Sequence, residues 1–148
     1  MIGRREIETM IPHAGAMCLL DRVTEWDAVS IRCRAVSHLD PRNPLAVDGV
    51  LGAACGVEYA AQAMALHGGL TRVAGERPRA GYLASLRALV LHVARLDDLE
   101  GDLVVEVERL AGEDTRVSYQ FSLRHDGKIL LSGRAAVILD IGLDMVEV

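Results

Sequence analysis

Aromatic residues are scarce: Trp26, Tyr59, Tyr82, Tyr119 and Phe121 are the only five in 148 residues. With a formal charge of −5 as well, the chain lacks both the stacking rings and the basic surface that nucleic-acid binding draws on. Cysteine is scarce too. Cys18, Cys33 and Cys55 are odd in number and far apart, with no CxxC and no histidine at metal spacing. That pattern signals neither a disulfide framework nor a zinc site, and it suits reduced thiols in a cytoplasmic protein. GxSxG, P-loop and strand-GxGxxG-helix motifs are all missing, which excludes the common enzymes that carry them. The N-terminus has charges within its first six residues and no apolar run of the kind a signal peptide needs.

One run could pass for a membrane span, since Glu58 is the only formally charged residue between Gly49 and Thr71. The run is rich in Gly and Ala rather than Leu and Ile, and it places Glu58 and Gln62 at its centre. A carboxylate there would cost about 2.5–3.5 kcal/mol on insertion. A helix buried in its own protein accounts for the same letters. With 51% apolar residues and no repeat, linker or charge block, the chain reads as a single domain over 1–148.

Its organisation follows from the apolar period. IETMIPHAG reads as a short helix or turn broken at Pro12 and Gly15. MCLLDRVTEWD and SIRCRAVS read as a hairpin, because Ile31, Cys33 and Ala35 alternate with Arg32 and Arg34. After the loop HLDPRNPLAVDG, apolar side chains surround nearly the whole circumference of a helix predicted over Val50–His67, about 27 Å long, with Gly68 and Gly69 as its stop. GYLASLRALVLHVARL, DLVVEVERL, RVSYQFSLRH and KILLSGRAAVIL then read as strands, the third with Val117, Tyr119, Phe121 and Leu123 on one face. AGED and HDGK are the turns between the last three. The fold class is α+β: an antiparallel sheet of about six strands wrapped around one long buried helix.

Glu58 and Gln62 stand one helical turn apart on one face. A carboxyl among Ala, Val and Cys is poorly solvated, which favours its protonated form and suits a general acid. The alternative is structural: Glu58 salt-bridges an arginine at the sheet edge, and Gln62 ties down loop backbone. His38 opens the loop that feeds the helix, His13 lies at the Pro12 turn, and His67 suits the negative end of the helix dipole.

IPHAGAMCLLDRV resembles the LPHRYPFLLVDRV opening of the 3-hydroxyacyl-[acyl carrier protein] dehydratases, and GVEYAAQ resembles their central-helix segment. Together with GYLASLR, these motifs look closer still to the dehydratase-like proteins of aryl polyene and related lipid gene clusters. The resemblance implies the hot-dog fold. It also implies removal of water from a 3-hydroxyacyl thioester by a loop histidine and a helix carboxylate, without a metal or cofactor. On this resemblance Glu58 is the acid, His38 the base and Gln62 an orienting group. The amides of Ala54, Cys55 and Gly56 would hold the thioester oxygen, and His13 would join the substrate-binding set. An acidic acyl carrier protein would dock on Arg72, Arg77, Arg79 and Arg87, and the unit would be a homodimer or a heterodimer with a paralogous subunit.

Two departures stand out. His38 lies twenty positions before Glu58, whereas Pro44 holds the family's fourteen-residue offset, so His38 fits only with an insertion in the loop. Gly52 and Ala53 replace the family's Pro-Gly at the start of the helix. These departures motivate a second reading, a catalytically silent partner subunit of a dehydratase heterodimer. A hot-dog acyl thioesterase is a third, because the fold alone does not decide the reaction.

Overall fold

The computed structural model describes residues 1–11, 15–72, 81–113 and 115–139. A two-residue strand, β1 (Ile2–Gly3), leads into α1 (Arg4–Met10), and then β2 (Arg22–Trp26) and β3 (Ser30–Ala35) form the first hairpin. The central helix α2 (Gly56–Leu70) follows, preceded by a 3-10 turn at Ala53–Cys55. Four long strands complete the sheet: β4 (Gly81–Leu91), β5 (Leu103–Gly112), β6 (Arg116–His125) and β7 (Lys128–Leu139). All pairings are antiparallel, in the order β1-β2-β3-β5-β6-β7-β4. The sheet therefore has seven strands rather than six, the extra one being the short β1.

Alternation decides which face is inside. Val105 and Val107 of β5, Tyr119, Phe121 and Leu123 of β6, and Leu131 and Ala135 of β7 are buried, and they form one core with Tyr59, Ala60, Ala63 and Leu66 of α2. The β6–β7 turn is the expected tight one, with Asp126 at φ 49° and Gly127 at φ 77°.

Four boundaries differ from the sequence reading, the simplest being that β4 stops at Leu91, short of the HVARL read as its continuation. Met17–Leu20 is not strand. Met17 ends a 3-10 turn, and Cys18, Leu19 and Leu20 are buried in irregular backbone. The helix does not begin at Val50. An Asp48–Gly49 turn at positive φ pairs Val47 with Val50, and Leu51–Gly52 runs extended against Ala94–Leu96, held by Ala53 N–H to Ala94 C=O and Leu96 N–H to Leu51 C=O. Nor do Gly68 and Gly69 stop it. Leu70 packs on the core and carries the helix on, and Thr71 closes it by donating from both N and Oγ1 to the His67 carbonyl.

Candidate functional site

The first turn of α2 is where the candidate residues gather. Gly56 faces the sheet so closely that a Cβ there would lie 2.7 Å from Leu131 Cδ2. Two residues on, roughly 200° around the helix, Glu58 points away from the sheet and is half-buried rather than sealed. It shares a less buried stripe with Ala54, Val57, Ala61 and Ala65, whereas Tyr59, Ala60, Gln62, Ala63, Met64, Leu66 and His67 are buried. The carboxylate thus sits on the less buried side of the central helix.

Gln62 is 1% exposed, and both ends of its amide are used. Oε1 accepts from Leu19 N–H at 2.9 Å, and Nε2 donates to Met17 C=O at 2.8 Å. These bonds tie the irregular 17–19 segment to the helix, so the loop-tethering alternative describes this side chain. His13, the substrate-binding candidate upstream of that segment, lies outside the described residues, as do Arg77, Arg79 and Asp114 of the AGED turn.

His38 sits in a 3-10 turn, Ser37–Leu39, and is 1% exposed. Its Nε2 is 2.8 Å from the Leu99 carbonyl, which fixes that nitrogen as the protonated donor and leaves the lone pair on Nδ1. Nδ1 is buried and has no hydrogen-bond partner. Burial lowers the pKa, so the ring is held neutral. Its loop is braced from the helix by Tyr59, a residue the sequence reading counted only as an aromatic. The Tyr59 hydroxyl is 2.8 Å from Ser37 Oγ, which itself donates to Leu19 C=O at 2.7 Å, so tyrosine is the donor in that pair. Asn43 Nδ2 donates to Tyr59 at 3.1 Å and to Ser37 C=O at 2.9 Å, while its Oδ1 accepts from Leu45 N–H. The sequence signal was present: a tyrosine beside the carboxylate, and an Asn-Pro in the facing loop.

Two of the three amides assigned to the thioester oxygen have acceptors of their own. Cys55 N–H donates to Gly52 C=O, and Gly56 N–H to the Ala53 and Ala54 carbonyls, so these two serve the 3-10 turn. Leu51 N–H donates to Asp97 Oδ1 at 2.9 Å. Hydrogen bonds from Arg95, then this amide, pull the Asp97 carboxyl down to about 2. Among the docking candidates, Arg72 is exposed just beyond the helix cap, and Arg87 is exposed on β4, directly opposite Arg134 of β7.

Two of the other histidines serve the frame. His67 Nε2 reaches Asp27 C=O at 2.9 Å, and its ring meets Tyr119 edge-on at 6.0 Å. His125 contacts the Glu100 carbonyl. Cys18, Cys33 and Cys55 are unpaired, and burial pushes the Cys33 thiol up to about 12. No three His, Cys, Asp or Glu converge to hold a metal, and no helix is long and apolar enough to cross a membrane, among the described residues.

Comparison with known proteins puts this geometry in context. A subunit of the dehydratase heterocomplex ApeI:P from Xenorhabdus doucetiae superposes with a TM-score of 0.83 at 20% identity, covering 95% of each chain. A Haemophilus influenzae thioesterase matches with a TM-score of 0.59 at 14% identity, over 80% of this chain and 77% of that one. A mutant thioesterase from Pseudomonas aeruginosa gives 0.60 at 16%, over 80% and 79%. At these identities the superpositions establish the hot-dog architecture and nothing finer. No curated protein matches the sequence significantly. The profile of the ApeP dehydratases, however, matches residues 5–141, spanning all three quoted motifs and every strand but the first, and on that match the chain belongs to the ApeP-like dehydratase family.

Proposed function

We propose that this chain is one subunit of a two-chain dehydratase that converts a carrier-bound 3-hydroxyacyl thioester to the trans-2-enoyl thioester, and that it supplies the acid. The observation that carries this is the position of Glu58, half-buried, on the less buried stripe of α2. A second subunit packed there would complete the desolvation that its own chain leaves unfinished, and desolvation favours a protonated carboxyl. In the reaction a base removes the proton α to the thioester carbonyl. The C3–O bond breaks as the Cα–C3 double bond forms, and Glu58 gives its proton to the departing hydroxyl, which leaves as water. The family match and the likeness to a heterocomplex subunit support this reading.

Two readings of His38 follow from two observations. Its sealed ring and its bond to Leu99 support a pin that holds the loop to the 99–101 segment. Its unprotonated, unpartnered Nδ1 is the form a general base needs. The pin is favoured, because 1% exposure leaves no approach for an acyl chain within this subunit.

Glu58→Gln and His38→Gln in the assembled enzyme, assayed on a 3-hydroxyacyl carrier-protein thioester, test both points. Glu58→Gln should abolish enoyl formation with melting temperature unchanged; retained turnover overturns the assignment. His38→Gln should lower the melting temperature while turnover survives, whereas lost turnover at unchanged stability makes it the base. Release of thiol in place of enoyl product would replace dehydration with hydrolysis.

A further inference from the structure

The sheet is electrically divided. β4, β6 and β7 contain Arg87, Arg116, Arg124, Lys128 and Arg134 and not one Asp or Glu. The sheet's acidic residues lie toward the other side, in Glu25 of β2 and Glu106 and Glu108 of β5. There most cations have a carboxylate partner, Arg109 of β5 being the exception among the described residues: Arg32 pairs with Glu25 and Glu106, Arg124 with Glu106, and Arg22 and Arg34 with Asp102. Among the described residues Arg87 and Arg134 have no carboxylate partner. They face each other across the β4–β7 pair, beside Gln120 and Ser132 on the solvent face. Like charges directly opposite are destabilising.

This unbalanced pair lies at an edge that is itself unfinished. Among the described residues β4 is hydrogen-bonded only to β7, and Leu83, Leu86, Leu89, Val90 and Leu91 are 36–46% exposed along it. An eleven-residue, largely apolar strand with no second strand partner among the described residues is a template for another strand.

We propose that Arg87 with Arg134, at the open β4 edge, selects a partner whose adjoining sheet face carries carboxylates, against a second copy of this chain. The selection does not depend on register. Arg87 is the only charged residue in β4, so in no antiparallel alignment does a second β4 offer it a counter-charge. Arg87 is also one residue from the strand's midpoint, Leu86. A centred pairing of two copies therefore brings both Arg87 side chains within about 7–8 Å, with an Arg134 flanking each. Four unpaired guanidinium groups would straddle the seam. A carboxylate-bearing partner converts the same four positions into ion pairs, which is specificity through an element repulsive to the wrong partner. This inference rests on the two-chain reading above and supplies its choice of partner.

A charge-reversed copy of the chain can stand in for the acidic partner. Arg87 and Arg134 are both exposed, so R87E/R134E should fold, as circular dichroism would verify. Sedimentation velocity at 50 mM salt, with wild type, the double variant and an equimolar mixture, should find the mixed pair at least tenfold tighter than either self-pair. The preference should collapse at 500 mM salt, where screening shortens to a few ångströms. Statistical mixing, or a wild-type self-pair that is tightest and salt-insensitive, overturns the proposal. L86D in both chains separates the two ideas. If it abolishes all pairing while mixing was statistical, the edge is the seat but charge does not select. If mixed pairing persists, the seat is elsewhere and the placement of the partner on β4 fails.

Discussion

A buried amide that accepts from Leu19 N–H and donates to Met17 C=O cannot be replaced by a group of a single polarity. Gln62→Ala leaves a buried donor and a buried acceptor unmet, each worth about 1–3 kcal/mol. Chemical denaturation should show a loss of about 2–4 kcal/mol. Gln62→Glu keeps the acceptor and sets a carboxylate oxygen against the Met17 carbonyl, so it should recover little of that loss. Spacing placed Gln62 beside Glu58 on one helix, but its partners are backbone atoms more than forty positions away, which no local pattern records. The buried imidazoles add a pH dependence. Desolvation lowers the pKa of both His38 and His67 below the ordinary value near 6.5. The unfolded chain therefore binds protons that the folded chain refuses. The stability these rings contribute is fully present above about pH 6.5 and is lost as the pH falls through their folded values. Melting temperature should fall between pH 7.5 and 5, and His67→Gln should flatten that fall even if it lowers the pH 7.5 value.

At the scale of elements, α2 shows what periodicity can and cannot reveal. A run apolar on nearly every side was legible as a buried helix, and so was the order of strands around it. Its ends were not. Asp48–Gly49 turns the chain at positive φ and pairs Val50 backward, while Leu70 and Thr71 carry the helix through two glycines that look like a stop. The glycines of this helix then make opposite predictions. A Cβ at Gly56 would meet Leu131 Cδ2 at 2.7 Å, Leu131 Cδ1 at 3.0 Å and Leu123 Cδ2 at 3.1 Å. Alanine improves helix propensity by about 1 kcal/mol, but overpacking costs about 1–3 kcal/mol, so Gly56→Ala should lower the melting temperature. At Gly69 a Cβ meets nothing within 4 Å, and the φ is not positive. Gly69→Ala should therefore gain up to about 1 kcal/mol, a difference that calorimetry on the two variants resolves.

Over the whole molecule, the sequence ordered the strands but did not say which would be left at the edge, because pairing order is set by long-range contacts. Read alone, GYLASLRALVL has the apolar content of an interior strand; only the topology places it outermost with most of its apolar side chains in water. An edge of this kind is an aggregation template when nothing covers it, and net charge adds to the local Arg87–Arg134 repulsion that holds copies of the chain apart in solution. The sequence isoelectric point is about 5.5, so around that pH the general repulsion vanishes while the apolar edge remains. The same acid shift protonates the unfolded chain's histidines and weakens the fold. Light scattering from the isolated chain should therefore rise most steeply near pH 5.5 and stay low at pH 8. Leu89→Lys sets a charge on the exposed edge without touching the core, since Leu89 is already 36% exposed. It should suppress the scattering at pH 5.5 and leave the pH 8 melting temperature unchanged. Scattering that persists in Leu89→Lys would trace the aggregation to global unfolding instead of to the open strand.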